Sequence, residues 1–100
     1  MATLVSESGI RTTLKGDKPN GALSLKQMQK AVGDGLIEPI YGNNGETIAI
    51  GNEEALYKFE DINPHLMAHV AKALGVSIRQ IQPLKGPFII PDKDEDGEWY

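Results

Sequence analysis

Three groups of residues in this chain have the types and spacing that chemistry needs. His65 and His69 stand four residues apart, so on a helix both imidazoles lie on one face and can reach one metal ion. A metalloprotease helix carries Glu directly after the first His, and Leu66 is there instead. Lys72 shares that face and sets a positive charge where a cation would bind; Glu60 and Asp61 are the nearest candidates for further ligands. On this pattern the pair reads first as surface histidines and second as a zinc site. The C-terminal run Asp92-Lys93-Asp94-Glu95-Asp96-Gly97 copies the first half of a calcium loop, with Asp92, Asp94 and Asp96 at positions one, three and five. A full loop needs 12 residues closed by a bidentate Glu. The chain ends at Tyr100, so the run reads as an acidic, solvated tail with a weak cation site as the alternative.

The third group is Asn52-Glu53-Glu54. Adjacent carboxylates face opposite sides of a strand and diverge by about 100° on a helix, so Glu53 and Glu54 are poorly placed to share a substrate as an acid–base pair. Asn52 is expected to bond the backbone of a turn. Trp99 and Tyr100 complete the candidate binding residues, because aromatic side chains are typical anchors at protein interfaces. No Ser-His-acid order, phosphate-binding glycine loop or dinucleotide fingerprint is present, so neither a catalytic set nor a cofactor is expected.

Positioning these groups falls to a chain of 100 residues, enough for one domain with a modest core. The domain is expected over residues 1–91, with 92–100 as an acidic tail. With 40% hydrophobic and 24% charged residues the composition is that of a folded soluble domain. Cysteine is absent, which excludes disulfides and thiolate chemistry. The tail holds five acids against Lys93, which accounts for the whole net charge of −4 and leaves the first 91 residues balanced. A neutral body gives no electrostatic reason to bind nucleic acid. No apolar run approaches the roughly 20 residues of a membrane span, and the N-terminus lacks the pattern of a signal peptide. A cytoplasmic protein, in the host cytoplasm if phage-encoded, is expected.

Along the chain, Thr3–Val5 and Ile10–Leu14 have strand composition. Ser24 with Gln27 forms a capping box that opens a helix ended by Gly33, with Leu25, Met28, Ala31 and Val32 on its apolar face. Leu36–Tyr41 and Glu46–Ile50 flank Gly42-Asn43-Asn44-Gly45 as a hairpin, and Pro39 argues for an edge strand or a bulge. Residues 52–59 fit a helical turn or a short strand. Asn63-Pro64 opens a second helix that Gly75 closes, with Leu66, Met67, Val70, Ala71, Ala73 and Leu74 on one arc and His65 and His69 outside it. Phe88-Ile89-Ile90, between Pro87 and Pro91, reads as a final strand that is either short or at an edge. Together these predict an α+β fold, a small, mostly antiparallel sheet with two helices packed on one face.

The order S-L-K-Q-M-Q-K-A-V-G-D-G-L-I-E, a strand pair, N-E-E-A-L, N-P-H-L-M-A and P-L-K-G-P-F-I-I resembles a family of short proteins of bacteriophages and mobile elements, domain of unknown function 3846. The resemblance covers roughly residues 22 to 91. Asp34-Gly35 widens the step before the strand relative to that pattern, and the acidic tail lies outside it. The family has no established reaction, so the resemblance implies a phage or mobile-element origin and assigns no catalytic residue. The expected function is a non-enzymatic accessory protein that binds a host protein or a second copy of itself. A small-ligand-binding or sequestering protein, with its pocket between the 64–74 helix and the sheet, is the second reading. A metal-dependent enzyme using His65 and His69 is the third.

Overall fold

The computed structural model describes residues 2–19 and 21–91. The candidate residues Asp92, Asp94, Asp96, Trp99 and Tyr100 therefore lie outside the described residues. Strands β1 (Ala2–Val5), β2 (Arg11–Leu14), β3 (Ile37–Tyr41), β4 (Thr47–Asn52) and β5 (Phe88–Ile90) form one sheet in the order β2-β1-β5-β4-β3, every neighbouring pair antiparallel. The helices are α1 (Leu25–Ala31), the single turn α2 (Ala55–Lys58) and α3 (Pro64–Leu74), with a 3-10 turn at Ile78–Gln80. The α+β class and the antiparallel sheet are as expected.

The helices are distributed differently from the expectation. One core cluster joins Ala2, Leu23, Met28, Val32, Ile50 and Ile89, and a second joins Val5, Ala49, Leu66, Val70 and Phe88. Phe88 and Ile89 are consecutive strand residues and so point to opposite faces. Hence α1 covers one face of the sheet and α3 the other. Two-sided burial also explains why β5 is apolar at every position, the composition of a strand covered on both faces. Of the two alternatives, β5 is the short strand, three residues long, and it is central: Val5 faces Phe88 and Ile50 faces Ile89 across the two ladders. Its prolines, Pro87 and Pro91, stand just outside the three paired residues, so neither removes a ladder donor. Pro39 does mark an edge, because β3 pairs only with β4 there, and the register shifts between Ile40 and Tyr41.

The capping box forms as read: Ser24 Oγ accepts from the Gln27 amide at 3.2 Å, and Gln27 Oε1 accepts from the Ser24 amide at 3.1 Å. The same Gln27 holds the preceding loop, accepting from the Asp17 amide at 2.9 Å and donating to the Lys15 carbonyl at 2.8 Å. Leu25 is 55% exposed, contrary to the expected apolar face. Leu23, just before the cap, is buried in its place and shares a core cluster with Met28, the relationship of a hydrophobic staple. On α3 the caps hold as expected: Asn63 Oδ1 accepts from the amides of His65 and Leu66, and Gly75 is left-handed. Leu66, Val70 and Ala71 are buried and Ala73 is exposed. Each large apolar side chain fully buried here contributes about 1.5–3 kcal/mol.

Candidate functional site

The segment from Asn52 to Phe59 does two jobs. Its inner half is structural. Asn52 is buried, and its Nδ2 donates to the carbonyls of Val32 at 3.1 Å and Asp34 at 2.7 Å, while its Oδ1 accepts from the Glu54 amide at 2.8 Å. Lys58 Nζ adds hydrogen bonds to the carbonyls of Gly33 and Asp34. Thus one amide and one ammonium satisfy carbonyls at the C-terminal end of α1, groups that helix geometry leaves without partners. Phe59 then packs between two left-handed glycines: a Cβ on Gly33 would lie 2.9 Å from its ring, and one on Gly86 2.7 Å. Both conditions, positive φ and ring contact, exclude a larger residue at Gly86.

The outer half faces solvent. Glu53 and Glu54 are exposed, Leu56 is 58% exposed and Tyr57 94% exposed. Beneath Leu56 opens a cleft of about 170 Å³. Its floor is Ile40 of β3, Gly51 of β4 and Leu66 of α3, and its far wall is the Gln82-Pro83-Leu84-Lys85 segment. This wall is fixed at its C-terminal end: the Asn63 amide donates to the Leu84 carbonyl at 2.8 Å, and Ile62 bridges to Lys85 as an isolated antiparallel pair. Asn63 Nδ2 also donates to the Gly86 carbonyl at 2.7 Å, so one buried asparagine caps α3 and anchors the cleft wall. Glu38, Glu53 and Lys85 bring the charged groups to the cleft. Among the described residues their side chains make no hydrogen bond or ion pair. The cleft is lined by residues of β3, β4 and α3 together with the 82–85 segment.

The structure separates the candidate residues. Glu53 lines the cleft, and Asn52 contributes to its lining while its side chain serves the fold. The histidines share α3 but diverge in their contacts. His65 is exposed and its ring lies against Gly9, where a Cβ would come within 2.6 Å of Cε1 and Nε2. His69, expected outside the apolar arc, is half-buried, with its ring centroid 5.8 Å from that of Phe88. Its Nε2 is 2.7 Å from the Ile48 carbonyl. A carbonyl only accepts, so Nε2 is the donor in this contact. Among the described residues no group of three or more His, Asp or Glu side chains is arranged to hold a metal ion.

Sequence reasoning missed Glu38, Leu56, Leu84 and Lys85 as site residues. Glu38 sits within Leu36–Tyr41, whose composition marks a strand without saying which side chains meet a neighbour, and residues 76–84 have mixed signals. The available signal was Pro83-Leu84-Lys85, an apolar residue set in a turn-rich segment with no helix or strand to bury it.

A family model described as "Domain of unknown function (DUF3846)" matches residues 4–100. No curated protein and no solved structure matches the chain. The family match extends beyond the stretch that carried the resemblance, at the N-terminal side to residue 4 within β1 and at the C-terminal side to residue 100. Among the described residues no helix is long and apolar enough to cross a membrane.

Proposed function

The chain belongs to the DUF3846 family, and from that premise we propose that it is a small non-enzymatic accessory protein that binds a partner protein through the cleft beside β3. One observation carries this reading: apolar side chains that a monomer gains nothing by exposing gather at this place. Leu56, 58% exposed, lines a concave apolar floor with Ile40 and Leu66, and Ile62, half exposed, bridges to Lys85 of the cleft wall. Scattered exposed apolar residues are ordinary, whereas a contiguous patch around a cleft marks an interaction surface. The cleft is small beside the roughly 300–1,000 Å³ of a drug-sized ligand pocket, which favours one protruding side chain of a partner over an enclosed small molecule.

The resemblance to phage and mobile-element proteins supports a source in such an element and a partner from its host. Neighbouring genes test that part: a setting without phage or mobile-element genes would remove it. The binding itself is tested by tagged protein in host lysate, wild type against Leu56→Glu. A protein retained stoichiometrically by the wild type and lost in the variant, with both equally stable, supports the reading. Retention by both places the partner elsewhere on the surface and overturns it.

A further inference from the structure

The cleft's charges say what kind of partner segment it takes, an inference that rests on the cleft being the binding site. Glu38 and Glu53 both line it, Glu38 paired across the β3–β4 ladder with Gly51, two residues before Glu53, and Lys85 is the one cation among its lining residues. The acidic character extends outward. Glu54 follows Glu53 on the exposed turn, and the exposed Glu60-Asp61 pair precedes Ile62, which bridges to Lys85 at the cleft wall. Lys58, the basic residue within this stretch, is turned away, its Nζ committed to the carbonyls of Gly33 and Asp34. The rim therefore faces solvent with a marked excess of carboxylates around an apolar floor.

Unpaired carboxylates on the rim of an apolar cleft attract cations, and Glu38 and Glu53 have no partner among the described residues. A single apolar side chain matches the floor of Ile40 and Leu66 with Leu84 in the wall beside it. We propose that the cleft binds a basic peptide segment of a partner protein, seating one apolar side chain on that floor and setting flanking Lys or Arg side chains against Glu38 and Glu53. The contacts are exposed, so they set the rate and selectivity of association more than its strength. Binding by this route weakens as salt rises, because ions screen exposed charges within about 10 Å at 0.1 M.

Fluorescence anisotropy on the full chain tests this with two labelled peptides that share a central Leu-Val-Leu and are flanked by Lys pairs or by Glu pairs. The Lys-flanked peptide is expected to bind and the Glu-flanked one not. Glu38→Gln and Glu53→Gln are each expected to weaken binding about two- to fivefold, the effect of one exposed charge pair, and Leu56→Glu to change it as well by altering the rim. Equal binding of both peptides, or no effect of either Gln variant, overturns the basic specificity while leaving partner binding at the cleft intact. No binding of either peptide, alongside a lysate partner whose retention depends on Leu56, likewise overturns only this inference. Self-association that is lost in Leu56→Glu assigns the cleft to a second copy and overturns it too.

Discussion

Asn52 donates its side-chain amide to the main-chain oxygen of Asp34 at 2.7 Å, joining the end of β4 to the turn that leaves α1. Asp34 is the one non-glycine residue with positive φ among the described residues, at 63°. Asn and Asp tolerate the left-handed region better than other side chains, and here the carbonyl it presents has a buried donor waiting. Asn52→Leu should therefore destabilise the fold by about 1–3 kcal/mol, the cost of leaving buried carbonyls unpaired. Urea denaturation measures this. Asn52→Asp should be at least as damaging, because it keeps the acceptor for the Glu54 amide and replaces the donor with a charge facing two carbonyls.

Gly86→Ala combines a strained backbone with a collision against Phe59. It should lower the melting temperature by several degrees, since about 1 kcal/mol corresponds to about 4–8 °C in a domain of this size. The variant Phe59→Leu, which shortens the ring's reach, should be measured alone and with Gly86→Ala. The paired change should cost less than the two single changes together, because residues in contact couple. Strict additivity would show that the φ of 82° at Gly86, not the ring, sets the cost.

His69→Ala should destabilise the protein by about 1–3 kcal/mol, because the Ile48 carbonyl loses its donor and Phe88 loses a neighbour. His65→Ala should cost less, as its ring is exposed on the surface above Gly9. Zinc should leave the melting temperature of the wild type unchanged. A ligand that binds the folded state raises that temperature by mass action, so a zinc-dependent rise abolished by His69→Ala would establish the metal reading instead.

Tyr57→Ala and Leu56→Glu should each leave stability within about 0.5 kcal/mol of wild type, as expected for exposed positions outside the two core clusters. Circular dichroism melts check this. The result matters for the binding experiments, because any loss of partner retention in these variants is then a loss of surface and not of fold.

Much of the local structure was legible in the residues themselves. Ser24 with Gln27, Asn63 with Pro64, and the Gly42–Gly45 turn declared their caps and turns because each depends on side chains reaching backbone groups a few residues away. Leu25 misled because helical periodicity identifies an apolar face without saying which neighbour fills the space, and Leu23 filled it. His69 misled for the same reason: its position on the wheel was polar, but Ile48 and Phe88 approach from strands distant in sequence. The site was less legible than the fold. Glu38, Glu53, Leu56 and Lys85 meet at one cleft although they come from a strand, a turn, a one-turn helix and a loop.

The sequence by itself determined the α+β class, the hairpin, an edge or a bulge at Pro39 and the two capped helices, since periodicity, caps and proline act over a few bonds. Only the tertiary structure decided that β5 runs through the middle of the sheet and that α1 and α3 take opposite faces. The same was true of the fate of Asn52-Glu53-Glu54, where Asn52 turned inward to serve the fold and Glu53 was left at the cleft. Those outcomes depend on which apolar surfaces meet across long separations in the chain, and burial is non-directional, so no local pattern encodes them.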